Sequence, residues 1–228
     1  MTNVLIIGAT GTVGSTTRRY FLNHTDDQLT LMARNTDWLG KLETSRETAI
    51  AGSVTDAAAL KIALQGQDFV FAALSGSLKS MAQALVAAMD QSDVKRLAFI
   101  TSMGIYDEIP ASLGGGNVSQ NPVLRPYREA ADVIEASDLD YTIIRPGWFD
   151  NGSTDYEITH KGEPFGGHDV AVESIADLVT RLAHDRSWGY GIAWVLIGSR
   201  TVLKIEIAQI IIQRNPMFKG SFFALQRT

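Results

Sequence analysis

The apolar run Val4-Leu5-Ile6-Ile7 stops at Gly8-Ala9-Thr10-Gly11-Thr12-Val13-Gly14, and a helical pattern opens within that segment. A strand that turns directly into a helix restricts what can stand at the turn. Gly8 supplies a residue free of a Cβ where the backbone reverses, and Gly14 supplies one where helix and sheet must pack closely. Gly11, at the helix start, leaves the main chain open to close approach. The first N–H groups of a helix have no partner within it and carry the positive end of its dipole. The turn therefore suits a pyrophosphate, with Thr10, Thr12 and Val13 joining the three glycines as candidate contacts.

The rest of the chain repeats the same alternation. Strands are expected near 3–8, 28–33, 47–51, 68–73, 95–101 and 140–145, and helices near 12–23, 56–65, 78–90, 123–137 and 172–185. Runs such as Phe69-Val70-Phe71-Ala72-Ala73 are apolar on both faces, as strands covered on both sides must be. The reading is an α/β, doubly wound Rossmann fold with a mostly parallel sheet and helices on both faces, as one dinucleotide-binding domain over residues 1–228. Two connections, 103–122 and 146–170, exceed the ~12–15 residues that compact domains ordinarily leave without a use. Both follow strand ends, so both are expected to border the substrate.

Composition narrows the chemistry. The 228 residues include no cysteine, which excludes disulfide frameworks, thiolate metal sites and cysteine nucleophiles. The four histidines, at 24, 160, 168 and 184, have no metal-ligand spacing. A net charge of −5 argues against nucleic acid as a partner. Five basic and one acidic side chain give residues 200–228 a charge of +4, which leaves −9 on residues 1–199. Phe218, Phe222 and Phe223 add an aromatic character to this atypical C-terminal segment, and a protein partner or self-association surface is one expectation for it; an ordinary core-covering segment is the other. The N-terminus has no charged leader, and no stretch approaches the ~18 apolar residues of a membrane span, so a cytoplasmic protein with no membrane contact is expected.

The glycines are spaced GxxGxxG, and with this spacing the chain resembles the atypical short-chain dehydrogenase/reductases, specifically their NmrA-like, NAD(P)H-binding branch. The resemblance extends to Tyr141-Thr142-Ile143-Ile144-Arg145-Pro146-Gly147 and covers roughly residues 1–185. It implies a nicotinamide cofactor. Arg34, 20 residues after Gly14 at the end of the second strand, offers a charged fork to a 2′-phosphate, which favours NADP(H) over NAD(H). If the following loop carries Asp37 to the ribose, NAD(H) is the cofactor instead. Gly52-Ser53-Val54-Thr55-Asp56 looks like the family's Gly-Asp-Val-x-Asp segment, which implies adenine contacts from Ser53 and Val54, with Asp56 read as a helix cap. Leu74, Ser75 and Gly76 match the place where the cofactor backbone passes.

Ser102, closing the fifth strand, falls at the family's catalytic-serine place and beside the cofactor. The expected Tyr-x-x-x-Lys is incomplete. With Tyr127 as the tyrosine, Ala131 stands at the lysine place; counting back from Arg145-Pro146-Gly147, Tyr127 replaces the lysine and Val123 the tyrosine. A phenol with no cation from the next turn is a poor proton donor at neutral pH, so Tyr127 is either a weakened catalytic residue or a packing residue. Pro146 and Gly147 are expected to border the nicotinamide, and Tyr106, Trp148 and Phe149 to form an aromatic wall for a flat substrate. The resemblance implies an NADPH-dependent oxidoreductase passing hydride to a small-molecule acceptor such as a flavin or quinone, akin to the biliverdin-IXβ/flavin reductase type. The incomplete pair keeps a non-catalytic, dinucleotide-sensing regulator as the alternative, and a sugar-nucleotide epimerase or dehydratase would need the pair that is absent.

Overall fold

Val4, Leu5, Ile6 and Ile7 are all buried because both faces of the first strand are covered: Leu5 and Ile7 enter one apolar core, Val4 and Ile6 the other. This is seen in a computed structural model that describes residues 1–111, 116–163, 165, 167, 169–185, 187–189 and 191–198. The elements run β1 (Asn3–Ile7), α1 (Thr12–His24), β2 (Gln28–Ala33), β3 (Glu47–Ala51), α2 (Ala57–Leu64), β4 (Phe69–Ala72), α3 (Leu78–Asp90), β5 (Arg96–Ile100), α4 (Arg125–Glu135), β6 (Asp140–Pro146), β7 (Trp148–Asp150), β8 (Tyr156–His160), β9 (Asp169–Ala171), α5 (Val172–His184) and β10 (Ile192–Gly198).

The main sheet has the order β3-β2-β1-β4-β5-β6-β10-β8. Its pairs are parallel except β10 with β8, which is antiparallel. The first six strands follow the doubly wound order, with the chain reversing direction across the sheet between β1 and β4. Residues of α2, α3 and α4, among them Leu60, Leu85 and Ile134, close the core that holds Leu5 and Ile7. Phe21 of α1 and Leu178 and Val179 of α5 close the other. Among the described residues no helix is long and apolar enough to cross a membrane.

The expected α/β fold is the observed one, and the strands and helices read from periodicity agree with it to within a residue or two at most ends. Asp56 caps α2, accepting from the Ala58 and Ala59 amides. Helix α4 is shorter than 123–137: Pro122–Leu124 form a separate 3-10 turn whose Val123 amide is accepted by Asn121. The larger difference lies in 146–170, read as one long connection. It contains β7 and β9, which pair with each other in a second, two-stranded sheet, and β8, which lines the free edge of β10. Tyr156-Glu157-Ile158-Thr159-His160 becomes a strand because β10 offers it an open row of main-chain groups, and that edge is not encoded near it in sequence. The basic segment 200–228 lies outside the described residues.

Candidate functional site

Four strand-end loops converge on one cavity of about 250 Å³. Gly8, Thr10 and Gly11 come from the turn after β1, Arg34 from the end of β2, Ser53 and Val54 from beyond β3, and Leu74 and Ser75 from beyond β4. It sits where the sheet order reverses, the usual ligand position in an open α/β sheet. At this volume, near the ~300 Å³ lower end of ligand pockets, it can enclose part of a dinucleotide and not the whole.

The three glycines do different work. Gly8 has φ +84°, and a Cβ there would lie 2.1 Å from the Ala73 carbonyl oxygen; its amide and that of Ala9 are accepted by Met32 in β2. A Cβ on Gly14 would lie 2.2 Å from the Gly8 carbonyl oxygen. Both glycines are demanded by the protein's own packing. A Cβ on Gly11 would meet only the Gly8 oxygen at 3.4 Å, an ordinary contact, and otherwise enter open space. Gly11 is also the N-cap of α1, with no side chain capping the helix. The fold leaves the first amides of α1 facing a space that a Cβ would begin to fill, which fits a pyrophosphate seated there.

Arg34 is exposed and lines the cavity, whereas Asp37 does not; Asp37 lies in the first turn of a 3-10 helix, Thr36–Leu39, with its amide accepted by the Asn35 side chain. Trp38, on the same turn, also lines the cavity and is 78% exposed. Sequence reasoning passed over Trp38. An aromatic between Asp37 and Leu39 carries no periodic signal, and only its exposure beside the cavity singles it out.

Ser102 and Pro146 are held together two strands away. The Thr101 amide and hydroxyl both donate to the Ile144 oxygen, and the Met103 amide donates to the Pro146 oxygen, so Ser102 sits between bonds that sew the end of β5 to β6. Gly147 donates to Leu196 of β10. Trp148 and Phe149 follow on β7, 64% and 50% exposed. Thr12 lines a separate groove with Asp150, Asn151 and Glu173, so the start of α1 faces both openings.

Two expected site residues are drawn elsewhere. Tyr106 does not join an aromatic wall: the guanidinium carbons of Arg128 and Arg145 and the Lys161 ammonium lie 4.7, 4.8 and 4.1 Å from its ring centre. Its hydroxyl donates to Glu135 at 2.8 Å. Burial, and then the Glu135 carboxylate, push this phenol far above its usual range, so it stays protonated at neutral pH. Tyr127 is half-buried and packs against the α2–α4 core, and Arg128 beside it is taken up by Asp132, the Ile105 oxygen and the Tyr106 ring. Val123, the tyrosine place of the other register, is 72% exposed in the turn before α4.

Arg145 shows what the 141–147 block contributes here. It is fully buried, bonded to Glu108 and to the Ala193 oxygen of β10, and Glu108 also accepts from the Gly104 and Tyr106 amides at 3.0 and 2.9 Å. The pair folds the first long connection onto β6 and β10, beside Ser102. A larger cleft of about 600 Å³ runs along the outer faces of α1 and α5. Asp177, which lines it, is taken up by the Tyr20 and Tyr156 hydroxyls, and the cleft lies off the strand ends, so the smaller cavity is the better candidate.

Residues 8–186 match the model of a family described as NAD(P)H-binding. The chain is similar to a Rossmann-fold NAD(P)-binding family protein from Shigella flexneri, with 37% identity, a TM-score of 0.75 and coverage of 88% of this chain and 95% of that one. It is 30% identical over 158 residues to an uncharacterized sugar epimerase, YhfK, of Bacillus subtilis (strain 168), covering 65% of this chain and 72% of the relative. A wide-type short-chain dehydrogenase/reductase from Veillonella parvula, solved in complex with NADP, shares the fold at a TM-score of 0.79 and 24% identity, over 88% of this chain and 96% of that one.

Proposed function

The chain belongs to the NAD(P)H-binding family that its residues 8–186 match, and we propose on that premise that it is an NADPH-dependent oxidoreductase passing hydride to a flavin, quinone or similar planar acceptor. The observation that carries this reading is the single cavity that joins the glycine turn to Arg34. The amides of Thr12, Val13 and Gly14 would hold the pyrophosphate, and Ser53 and Val54 the base. Arg34 would pair with the 2′-phosphate, which is the reason for preferring NADPH; the NADP bound to the Veillonella protein supports the same choice.

When bound, the cofactor supplies the hydride. Pro146 and Gly147 would shape the backbone beside its nicotinamide end, and Ser102 would donate a hydrogen bond that orients the acceptor. Trp148 and Phe149 present an exposed aromatic pair on the strand that follows, suited to a flat acceptor. The acceptor takes the hydride, and the proton that completes its reduction comes from water. No side chain near Ser102 need supply that proton, which is why flavins and quinones are preferred over aldehydes and ketones. A sugar epimerase needs a proton-transfer pair at the α4 position, and Tyr127 with Ala131 does not provide one.

NADPH oxidation, followed optically across a panel of flavins, quinones and dyes, is expected to show turnover with at least one planar acceptor. The packing of Tyr127 into the core and the alanine at 131 favour a second reading, a dinucleotide-sensing regulator. Tight NADPH binding with no turnover on any acceptor would select it. For the cofactor, Arg34→Ala is expected to weaken NADPH about ten- to a hundredfold, the worth of a charge-assisted bond of roughly 1.5–3 kcal/mol, and to leave NADH nearly unchanged. Equal losses for both, measured by calorimetric titration, would remove Arg34 from the 2′-phosphate.

A further inference from the structure

We infer that Trp38 is the platform on which the adenine ring of the dinucleotide stacks, so that base recognition rests on an aromatic face rather than on the Ser53 hydroxyl alone. The inference depends on the NADP(H) reading above and names a residue that this reading did not contain. Its first support is exposure. Trp38 is 78% exposed and has no ring or cation partner among the described residues, although a large aromatic side chain gains by burying its faces.

The second support is location. Trp38 shares the cavity with Gly8, Arg34, Ser53 and Val54, so a nucleotide whose phosphates meet the turn and whose 2′-phosphate meets Arg34 brings its base to these walls. Ser53 has an engagement of its own, its hydroxyl within 2.8 Å of Thr55 and accepting from the Thr55 amide, which leaves it a weak reader of the adenine edge.

The third support is preorganisation. The turn that carries Trp38 is closed at its start by the Asn35 side chain, and Leu39 beside it is buried. Arg18 of α1 donates to the Leu39 and Lys41 oxygens and, through Nε and a second terminal nitrogen, to both carboxylate oxygens of Glu47 on β3. Glu47 in turn accepts from the Glu43 amide. The loop is thereby tied to a helix and a strand on either side, so the backbone that carries the ring is held in place before any ligand arrives and little loop-ordering cost falls on binding.

The test compares wild type, Trp38→Ala and Trp38→Phe by calorimetric titration with NADPH, NADH and reduced nicotinamide mononucleotide, which lacks the adenine. Trp38→Ala is expected to weaken NADPH and NADH by the same factor, about tenfold for one stacked base, and to leave the mononucleotide unaffected. Trp38→Phe is expected to stay within about threefold of wild type. The side chain is exposed, so unchanged melting of both variants checks that folding is not the cause. Unaltered NADPH affinity in Trp38→Ala, with wild type binding normally, overturns the platform and leaves the NADP(H) reading intact. A loss confined to NADPH also overturns it, because it would put the ring at the 2′-phosphate. Wild type that binds neither dinucleotide removes the reading and the inference together.

Discussion

Gly14→Ala is expected to lower the melting temperature by several degrees and up to about 10 °C, whereas Gly11→Ala is expected to melt almost like wild type and to lose NADPH affinity by about a hundredfold. The contrast follows from what each new methyl group meets. At Gly14 it would lie 2.2 Å from one main-chain atom and 2.9 Å from another, and no rotamer change relieves an overlap with backbone. Overpacking of this kind costs about 1–3 kcal/mol and sometimes more, with each kcal/mol worth roughly 2–4 °C in a chain of this size. Gly8→Ala adds the penalty of a left-handed residue, about 1–2 kcal/mol, to a 2.1 Å overlap with Ala73. At Gly11 the protein imposes nothing comparable, and replacing glycine at a helix N-cap costs about 1 kcal/mol at most. The methyl would instead stand where a phosphate approaches the first amides of α1, displacing one or two charge-assisted bonds. Thermal melting beside calorimetric titration reads both effects. A Gly11→Ala protein that binds NADPH as wild type does would mean the ligand does not sit on this turn.

Glu108→Ala is expected to cost about 3–5 kcal/mol, because it strands the Arg145 guanidinium in the interior together with the Gly104 and Tyr106 amides. Burial already pulls Arg145 below its ordinary proton affinity, and the Glu108 carboxylate is the main group opposing that. Replacing both partners tells the two contributions apart. Glu108→Leu with Arg145→Met removes the buried charge but leaves the Gly104 and Tyr106 amides without their acceptor, so it is expected to recover only the ion-pair part of the loss in a denaturant titration. The segment freed by Glu108→Ala carries Met103 and Gly104, next to Ser102, so acceptor reduction is expected to fall more than NADPH affinity does. A single variant within 1 kcal/mol of wild type would show that the pair holds nothing in place.

Much of the frame was legible because its causes are local. Strands of four to six apolar residues, helices with one apolar face and a glycine turn between them are written in windows of about a dozen residues, and these placed β1 to β6 and α1 to α5. The walls of the candidate cavity were legible for the same reason, since they follow strand ends in a regular order. The surroundings of the two long connections were not. Tyr106 reads as a pocket aromatic until Arg128, Arg145 and Lys161 are found around its ring and Glu135 under its hydroxyl, from positions 22 to 55 residues away. Nothing near Tyr106 announces those partners.

By itself the sequence determined the alternation of β1 to β6 with α1 to α5 and the glycine chemistry at the start of α1, which follow from periodicity and from the steric freedom of single residues. Tertiary structure alone decided that β10 runs beside β6 and recruits β8, that Arg145 spends its charge inside the protein on Glu108, and that Trp38 stands open beside Arg34. Sheet edges, buried ion pairs and exposed faces depend on which distant segments meet. That outcome is settled by packing the whole chain, where each charge or ring takes the partner that burial leaves within reach.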